Sequence, residues 1–429
     1  MINQKLFDYI KACPTPYHTV AHTEKILSEQ GYTLLSESSA WDLREGGKYY
    51  VCRGGSSIIA FRIPKRDFCG FMLSAAHSDS PAFKIKENDT LGDSGYLRLS
   101  CERYGGMIMS SWMDRPLSIA GRVLVDTPHG VESRLVDFAE PLAIIPNVAI
   151  HLTRSEGKRE ENAAIDLVPL YSGADFGVRL RERVAKTLKT DEKSILSSDL
   201  FLYNCEQGRE FNDLICAPRL DDLQCAFASL EAFISAKDGQ SVPVYCLFDN
   251  EEVGSATKQG AASTFLPDVL LSVCECLGLT KKQYTEKISN SFLVSCDNAH
   301  AVHPNHPELA DANHRVYPNR GIVIKYNANQ KYATDGVSAA IFKKLCRECG
   351  VGFQPYANRA DMPGGSTLGN ILSAGVSLCA VDVGLAQFAM HSCLESAGRS
   401  DTAAMIDALV VLFSSSVVKN SDGSYNITA

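Results

Sequence analysis

The sequence predicts an α/β protein: a mostly parallel sheet between helices, interrupted by an inserted β-rich unit. Three observations point there. Strand-like and helix-like segments alternate in both end portions of the chain, a middle block alternates apolar and polar positions without long helical stretches, and clusters of His, Asp and Glu follow the apolar runs. With 429 residues, 45% hydrophobic and 21% charged, the chain is long enough for two or three domains and too apolar to be disordered.

The first fifty residues read as helical, with PYHTVAHTEKILSEQGY spaced for a helix and Gly31 as its stop. Short β-rich runs follow, YYVCR, SSIIAFRI and FCGFMLSAAH, the last apolar enough for a strand covered on both faces, with His77 at its end. YLRLSCERYGG, SIAGRVLV and NVAIHLTR make the β-rich middle, and DFGVRLRERVAKTLKTDEKS is charged and helix-prone. Alternation then resumes: DDLQCAFASLEAFISAK as helix, VPVYCLFDN and SFLVSCDN as strands, VSAAIFKKLCREC as helix, GVSLCAVDV as strand and TAAMIDALVVLFSSSVV as helix. The simplest division gives residues 1–85 and 214–429 to the α/β domain and 86–213 to the insert.

Fifty acidic against 42 basic residues leave a net charge of −8, and no Lys/Arg run is available to neutralise phosphates, so a nucleic-acid partner is not expected. No stretch approaches the roughly 20 apolar residues of a membrane span, and the opening MINQKLFDYIKACP lacks a signal-peptide apolar block. A cytoplasmic protein acting on a small solute or peptide is expected. Its fifteen cysteines are then reduced thiols, mostly small buried hydrophobes. The lone C-x-x-C, Cys346 and Cys349, would need a second pair such as Cys274 and Cys276 to hold structural zinc.

Five polar clusters fall at strand ends or in adjoining loops: His77-Ser-Asp79, Arg219-Leu-Asp221-Asp222, Asp249-Asn-Glu251-Glu252, Cys296-Asp297-Asn-Ala-His300, and Ala389-Met-His391. Each alone also fits an ordinary hydrogen-bonded histidine or a solvated helix start. Together in one crevice they would gather many like charges, which need a cation. His77, Asp221, Glu252, Asp297 and His391 offer five ligand groups, one more than the roughly four that zinc takes. If one carboxylate bridges, two ions are served, roughly 3.5–4 Å apart. Glu251 is then free to accept a proton from the water between them.

AAHSDSPAFK, APRLDDLQCAF, LFDNEEVGS, SCDNAHAVHPN, IKYNANQKYAT and LAQFAMHS resemble, in order and over nearly the whole chain, the M18 metallopeptidases known as aspartyl aminopeptidases. The resemblance implies a zinc-peptidase-like domain with two Zn²⁺ per subunit, interrupted by a β-rich dimerisation domain, and dimers assembled into a tetrahedral dodecamer. It implies peptide substrates with acidic N-termini. Asp221 becomes the bridging ligand, His77 and Asp297 complete one ion, Glu252 and His391 the other, and Glu251 is the general base. Asp79 matches the acid that orients the histidine ligand. His300, Lys325 and Tyr332 match substrate-contacting positions, and His151 matches a histidine that enters a neighbouring subunit's active site. Co²⁺ and Mn²⁺ fit similar ligands.

HSDSP stands where HTDSP is expected, and RLDD where RLDN is more familiar; the extra acid, Asp222, is expected at a helix start pointing to solvent. Gly364 and Gly365, in DMPGGST ahead of a helix-like segment, offer backbone N–H groups for a substrate carboxylate or carbonyl, or simply make a tight turn. Two rival functions share these residues: another amide hydrolase on the same fold, such as a carboxypeptidase or N-acyl amino acid deacylase, and a non-catalytic peptide-binding assembly subunit. The presence of Glu251 and all five ligand candidates argues against the second.

Overall fold

The computed structural model describes residues 2–93, 95–153, 161–173, 175 and 177–428. A nine-stranded sheet carries four neighbouring parallel strands in the order Val242–Phe248, Phe71–His77, Phe292–Cys296 and Cys379–Gly384. The first three of these are buried at every residue, which is why their sequences read as nearly unbroken apolar runs. Their period-two alternation serves two cores. Tyr245, Leu247, Phe292 and Val294 pack with Phe227, Phe233 and Phe413 on one face, while Val244, Phe248 and Leu293 pack with Phe265, Leu270 and Leu372 on the other. Helices Leu220–Ser235 and Asp401–Ser414 cover the first face, and Phe265–Cys276 and Leu368–Val376 the second.

The sheet changes direction outside this parallel centre. Ser57–Arg62 pairs antiparallel with Val242–Phe248, and Ile322–Tyr326 pairs antiparallel with Cys379–Gly384. The N-terminal portion holds helices Ile2–Ala12 and Pro16–Glu29, then turns to the edge strand Thr33–Leu35, so its first fifty residues are only partly helical.

A second, six-stranded sheet is antiparallel throughout, ordered Gly130–Asp137, Leu117–Thr127, Ile195–Asn204, Ala82–Asp93, Tyr96–Tyr104 and Leu170–Gly173. It has its own core around Phe83, Trp112, Ile119 and Leu202. A small five-stranded sheet joins Leu214–Ala217 to Glu395–Gly398 and Ala386–Phe388, bringing the end of the middle block beside the His391 turn.

NVAIHLTR departs from its strand-like pattern. Ile150–Thr153 forms a single helical turn, with Val148, Ile150 and Leu152 51%, 68% and 75% exposed. Pro146, just before it, has no N–H to give a ladder, and among the described residues no strand pairs with this segment. Among the described residues no helix is long and apolar enough to cross a membrane.

Candidate metal centre

Three adjacent parallel strands deliver side chains to one crevice at their carboxyl edge. His77 ends Phe71–His77, Asp297 follows Phe292–Cys296, and Glu251 and Glu252 lie in a tight turn after Val242–Phe248. Asp221 comes from the entrance of helix Leu220–Ser235, where Asp221 and Asp222 leave helical geometry and the peptide between them is cis. His391, at φ +65°, occupies the turn between Ala386–Phe388 and Glu395–Gly398.

Ligand atoms of His77, Asp221, Asp222 and Asp297 lie within 4.8 Å of one another, and so do those of Asp221, Glu252 and His391. Asp221 belongs to both groups: its Oδ1 is 3.4 Å from His77 Nε2 and its Oδ2 is 3.6 Å from His391 Nε2. Glu252 Oε2 is 3.3 Å from the same His391 nitrogen. A third group joins His77, Glu251 and Glu252.

These residues fit a divalent cation. Asp221 Oδ1, Asp222 Oδ1 and Glu252 Oε1 are buried carboxylate oxygens that no hydrogen-bond donor satisfies, a costly arrangement unless positive charge faces them. The set of imidazole and carboxylate donors is the one zinc takes. The protein's own protons show the same demand. Burial, then the charge of Asp221, raises Glu252 well above the usual carboxylate range; burial works against the charged form of His77, yet the nearby carboxylates of Asp221 and Asp79 raise it overall. Burial pushes Glu251 up to about 7.

Asp222 corrects the sequence expectation. It is fully buried, not solvent-facing, because the chain bends before the helix proper begins, and its Oδ2 accepts the His77 backbone N–H at 3.1 Å.

Asp79 braces more than its histidine. Its Oδ1 is 3.4 Å from His77 Nδ1, although the shorter contact of that nitrogen, 3.0 Å, is to the Asp79 carbonyl oxygen. The carboxylate also accepts the backbone N–H groups of Glu251 and Glu252, at 3.2 and 3.1 Å, and the Tyr104 hydroxyl at 2.7 Å. Tyr104 escapes sequence reading because nothing in a β-rich segment marks a tyrosine whose partner is 25 residues away. Glu395, which accepts the backbone N–H groups of Asp221 and His391, escapes it for the same reason, at a separation of 174 residues from Asp221. Asp382 left a signal: it is a lone acid inside the apolar run GVSLCAVDV, and such a residue needs buried partners. It takes the Thr367 hydroxyl at 2.7 Å and the Ala333 N–H at 2.6 Å, joining two walls of the crevice.

The crevice opens into a cleft of about 130 Å³ lined by His77, Asp221, Glu251, Asp297 and His391, and also by His300, Lys325, Tyr332 and Gly365. Lys325 is buried, 3.2 Å from Asp297 Oδ2, with its ammonium over the Tyr332 ring. Gly364 is not among the lining residues; a Cβ there would lie 2.6 Å from Asn358 Oδ1. His151 is exposed and does not line this cleft.

The family model of the aminopeptidase I zinc metalloproteases (M18) matches residues 9–413. The chain belongs to the M18 family. It is 39% identical over 411 residues to a "Probable M18 family aminopeptidase 2" of Clostridium acetobutylicum, covering 93% of this chain and 95% of that one. A namesake from Pseudomonas paraeruginosa is 39% identical over 427 residues, covering 97% and 98%. Among solved structures, the M18 aminopeptidase of Thermotoga maritima superposes with a TM-score of 0.85 at 25% identity, covering 96% of this chain and 95% of that one. The Saccharomyces cerevisiae aminopeptidase dodecamer does so at 0.84 and 29%, covering 96% of each. As an M18 aminopeptidase the protein is a metallo-exopeptidase with a zinc-peptidase-like fold, and of the rival hydrolases its family stands with those that act on a free amino terminus.

Proposed function

We propose that this protein is a di-zinc aminopeptidase that removes acidic residues from peptide N-termini. The observation that carries the two-ion reading is Asp221, whose two oxygens face two different histidines and belong to two ligand groups. His77, Asp297 and Asp221 would hold one ion, and Glu252, His391 and Asp221 the other. Bound zinc supplies a Lewis acid for the scissile carbonyl and an acidified water. Glu251, beside the ligand Glu252 and lining the cleft, takes the attacking water's proton and passes it to the leaving amine. A cleft of about 130 Å³ is well below the roughly 300–1,000 Å³ of pockets for drug-sized ligands, which suits a single terminal residue.

The acidic preference rests on Lys325, the one lysine or arginine among the residues lining the cleft. His300, Tyr332 and the Gly365 loop complete the wall that would meet substrate. Homo-oligomeric assembly is supported by the dodecamer of the yeast relative, and its passage through the six-stranded unit, the proposed insert of residues 86–213, by the exposed apolar side chains of Ile144, Val148, Ile150 and Leu152. His151 sits in that apolar segment, where a partner would cover it. Fifteen free cysteines agree with a reducing cytoplasm.

The test is a panel of aminoacyl amides carrying Asp, Glu, Ala or Leu, free or N-acetylated, assayed with zinc, cobalt and manganese. Hydrolysis of free Asp and Glu amides above the neutral ones is expected. Activity on the acetylated set, or preference for Leu, overturns the reading.

A further inference from the structure

Tyr104 is the last residue of the strand Tyr96–Tyr104, so it belongs to the six-stranded sheet and not to the sheet that carries the ligands. Its hydroxyl nevertheless lies in the loop of proposed base and ligand. It donates to Asp79 Oδ2 at 2.7 Å and accepts from Asn250 Nδ2 at 2.9 Å. Asn250, at φ +64°, is the residue before Glu251 and makes the bend that starts the turn. Asp79 in turn holds the N–H groups of Glu251 and Glu252. One phenol thus joins two supports at the start of the same short turn: the acid that receives its backbone donors and the amide that opens it. The backbone beyond it closes in as well, since a Cβ on Gly105 would lie 3.1 Å from Glu252 Cβ, and Ile108 N–H donates to the His391 carbonyl at 3.0 Å.

We propose that Tyr104 is a positioning residue for Glu251 and Glu252, through which the six-stranded sheet sets the geometry of the metal loop. The proposal rests on the reading of Glu251 as base and Glu252 as ligand. Hydrogen bonds to an ionised carboxylate are the strong ones, and groups that orient metal ligands influence affinity and rate although they touch neither metal nor substrate. Without the hydroxyl, Asp79 Oδ2 keeps only the Glu252 N–H, and Asn250 Nδ2 has lost its acceptor, so the Asn250 side chain is held only through its Oδ1, which accepts from Thr257 and Gln259.

Packing offers the competing explanation, because the Tyr104 ring meets Phe201 edge-on at 5.6 Å between centroids. Tyr104→Phe separates the two, since it keeps the ring and removes only the oxygen. In the full-length holoenzyme, kcat is expected to fall about 10- to 100-fold with KM within about twofold, and metal loss to a chelator to quicken by a similar factor. Weaker metal binding by itself lowers the holoenzyme's melting temperature, so fold integrity is read on chelator-treated protein, whose melting temperature should stay near that of the parent treated alike. Phe201→Leu, which loosens the ring and keeps the hydroxyl, should leave kcat per folded molecule nearly intact. A Tyr104→Phe enzyme with parental kcat and metal retention overturns the proposal, as does a loss that disappears once unfolded protein is subtracted. Glu251→Gln made alongside keeps the two readings apart: if that variant is fully active, the assignment of the base has failed, whereas metal retention in Tyr104→Phe still judges Tyr104.

Discussion

Asp221 hangs from Glu395: its backbone N–H meets Glu395 Oε2 at 3.0 Å, while the other oxygen of the same carboxylate receives the His391 N–H at 2.7 Å. One fully buried acid therefore fixes two proposed ligands that lie 170 residues apart in sequence. Glutamine has one acceptor oxygen where this arrangement needs two. Glu395→Gln should weaken metal binding about 10- to 100-fold, read as competition with a chelator, and Glu395→Asp should fall between. Parental affinity in Glu395→Gln would show that the turn at His391 holds itself.

Glu251 and Glu252 are neighbours for which separate duties are proposed, base and metal ligand. Glu251→Gln should lower turnover by at least about 10²-fold while the protein keeps its metal. Glu252→Gln should lose metal and activity together. Metal analysis of the two purified variants decides between them, and the reverse pattern would exchange the two roles.

Lys325 faces Asp297 and the cleft at once. Lys325→Met should reduce hydrolysis of Asp- and Glu-terminal peptides at least about tenfold more than that of Ala- or Leu-terminal ones, because an unpaired buried carboxylate costs several kcal/mol. An equal fall on every substrate would make the lysine a partner of Asp297 alone.

Much of this arrangement is legible in the sequence because strands buried on both faces announce themselves, as FCGFMLSAAH does, and their carboxyl ends then point to His77, Glu251, Glu252 and Asp297. Asp222 was not legible: an acid at the start of an amphipathic pattern has the look of a helix cap, and only the bend at Asp221 turns it inward. NVAIHLTR has strand periodicity without a strand to pair with, so its alternation reports exposed apolar side chains instead. Tyr104 and Glu395 act through single long-range hydrogen bonds, which leave no periodic trace.

His151 is exposed in one chain, on a turn flanked by apolar residues that face outward. If a partner subunit receives it, mixing inactive His151→Ala chains with inactive Glu251→Gln chains should restore part of the activity, since a hybrid dimer contains one subunit with its own Glu251 and its partner's His151. Hybrids shown to form, yet inactive, would place His151 outside a shared site.

Removal of the metal should destabilise the fold. The unsatisfied oxygens of Asp221, Asp222 and Glu252 repel one another when no cation lies among them. Binding at a thousandfold excess over Kd contributes about 4 kcal/mol per site, so a chelator should lower the melting temperature and added zinc restore it. A melting temperature indifferent to the chelator would mean that the cluster satisfies itself with protons.

The strand Phe71–His77 lies between Val242–Phe248 and Phe292–Cys296, segments the ribosome makes long after it. At about 5–20 residues per second, this apolar stretch leaves the ribosome roughly 10–30 s before its first parallel neighbour exists. Throughout that interval FMLSAA has both hydrogen-bonding edges and both faces open to other chains. The arrangement that buries His77 so completely in the finished protein thus leaves the newborn polypeptide with an unpaired apolar strand, the kind of segment that aggregates, and heterologous production should improve when a holdase is supplied.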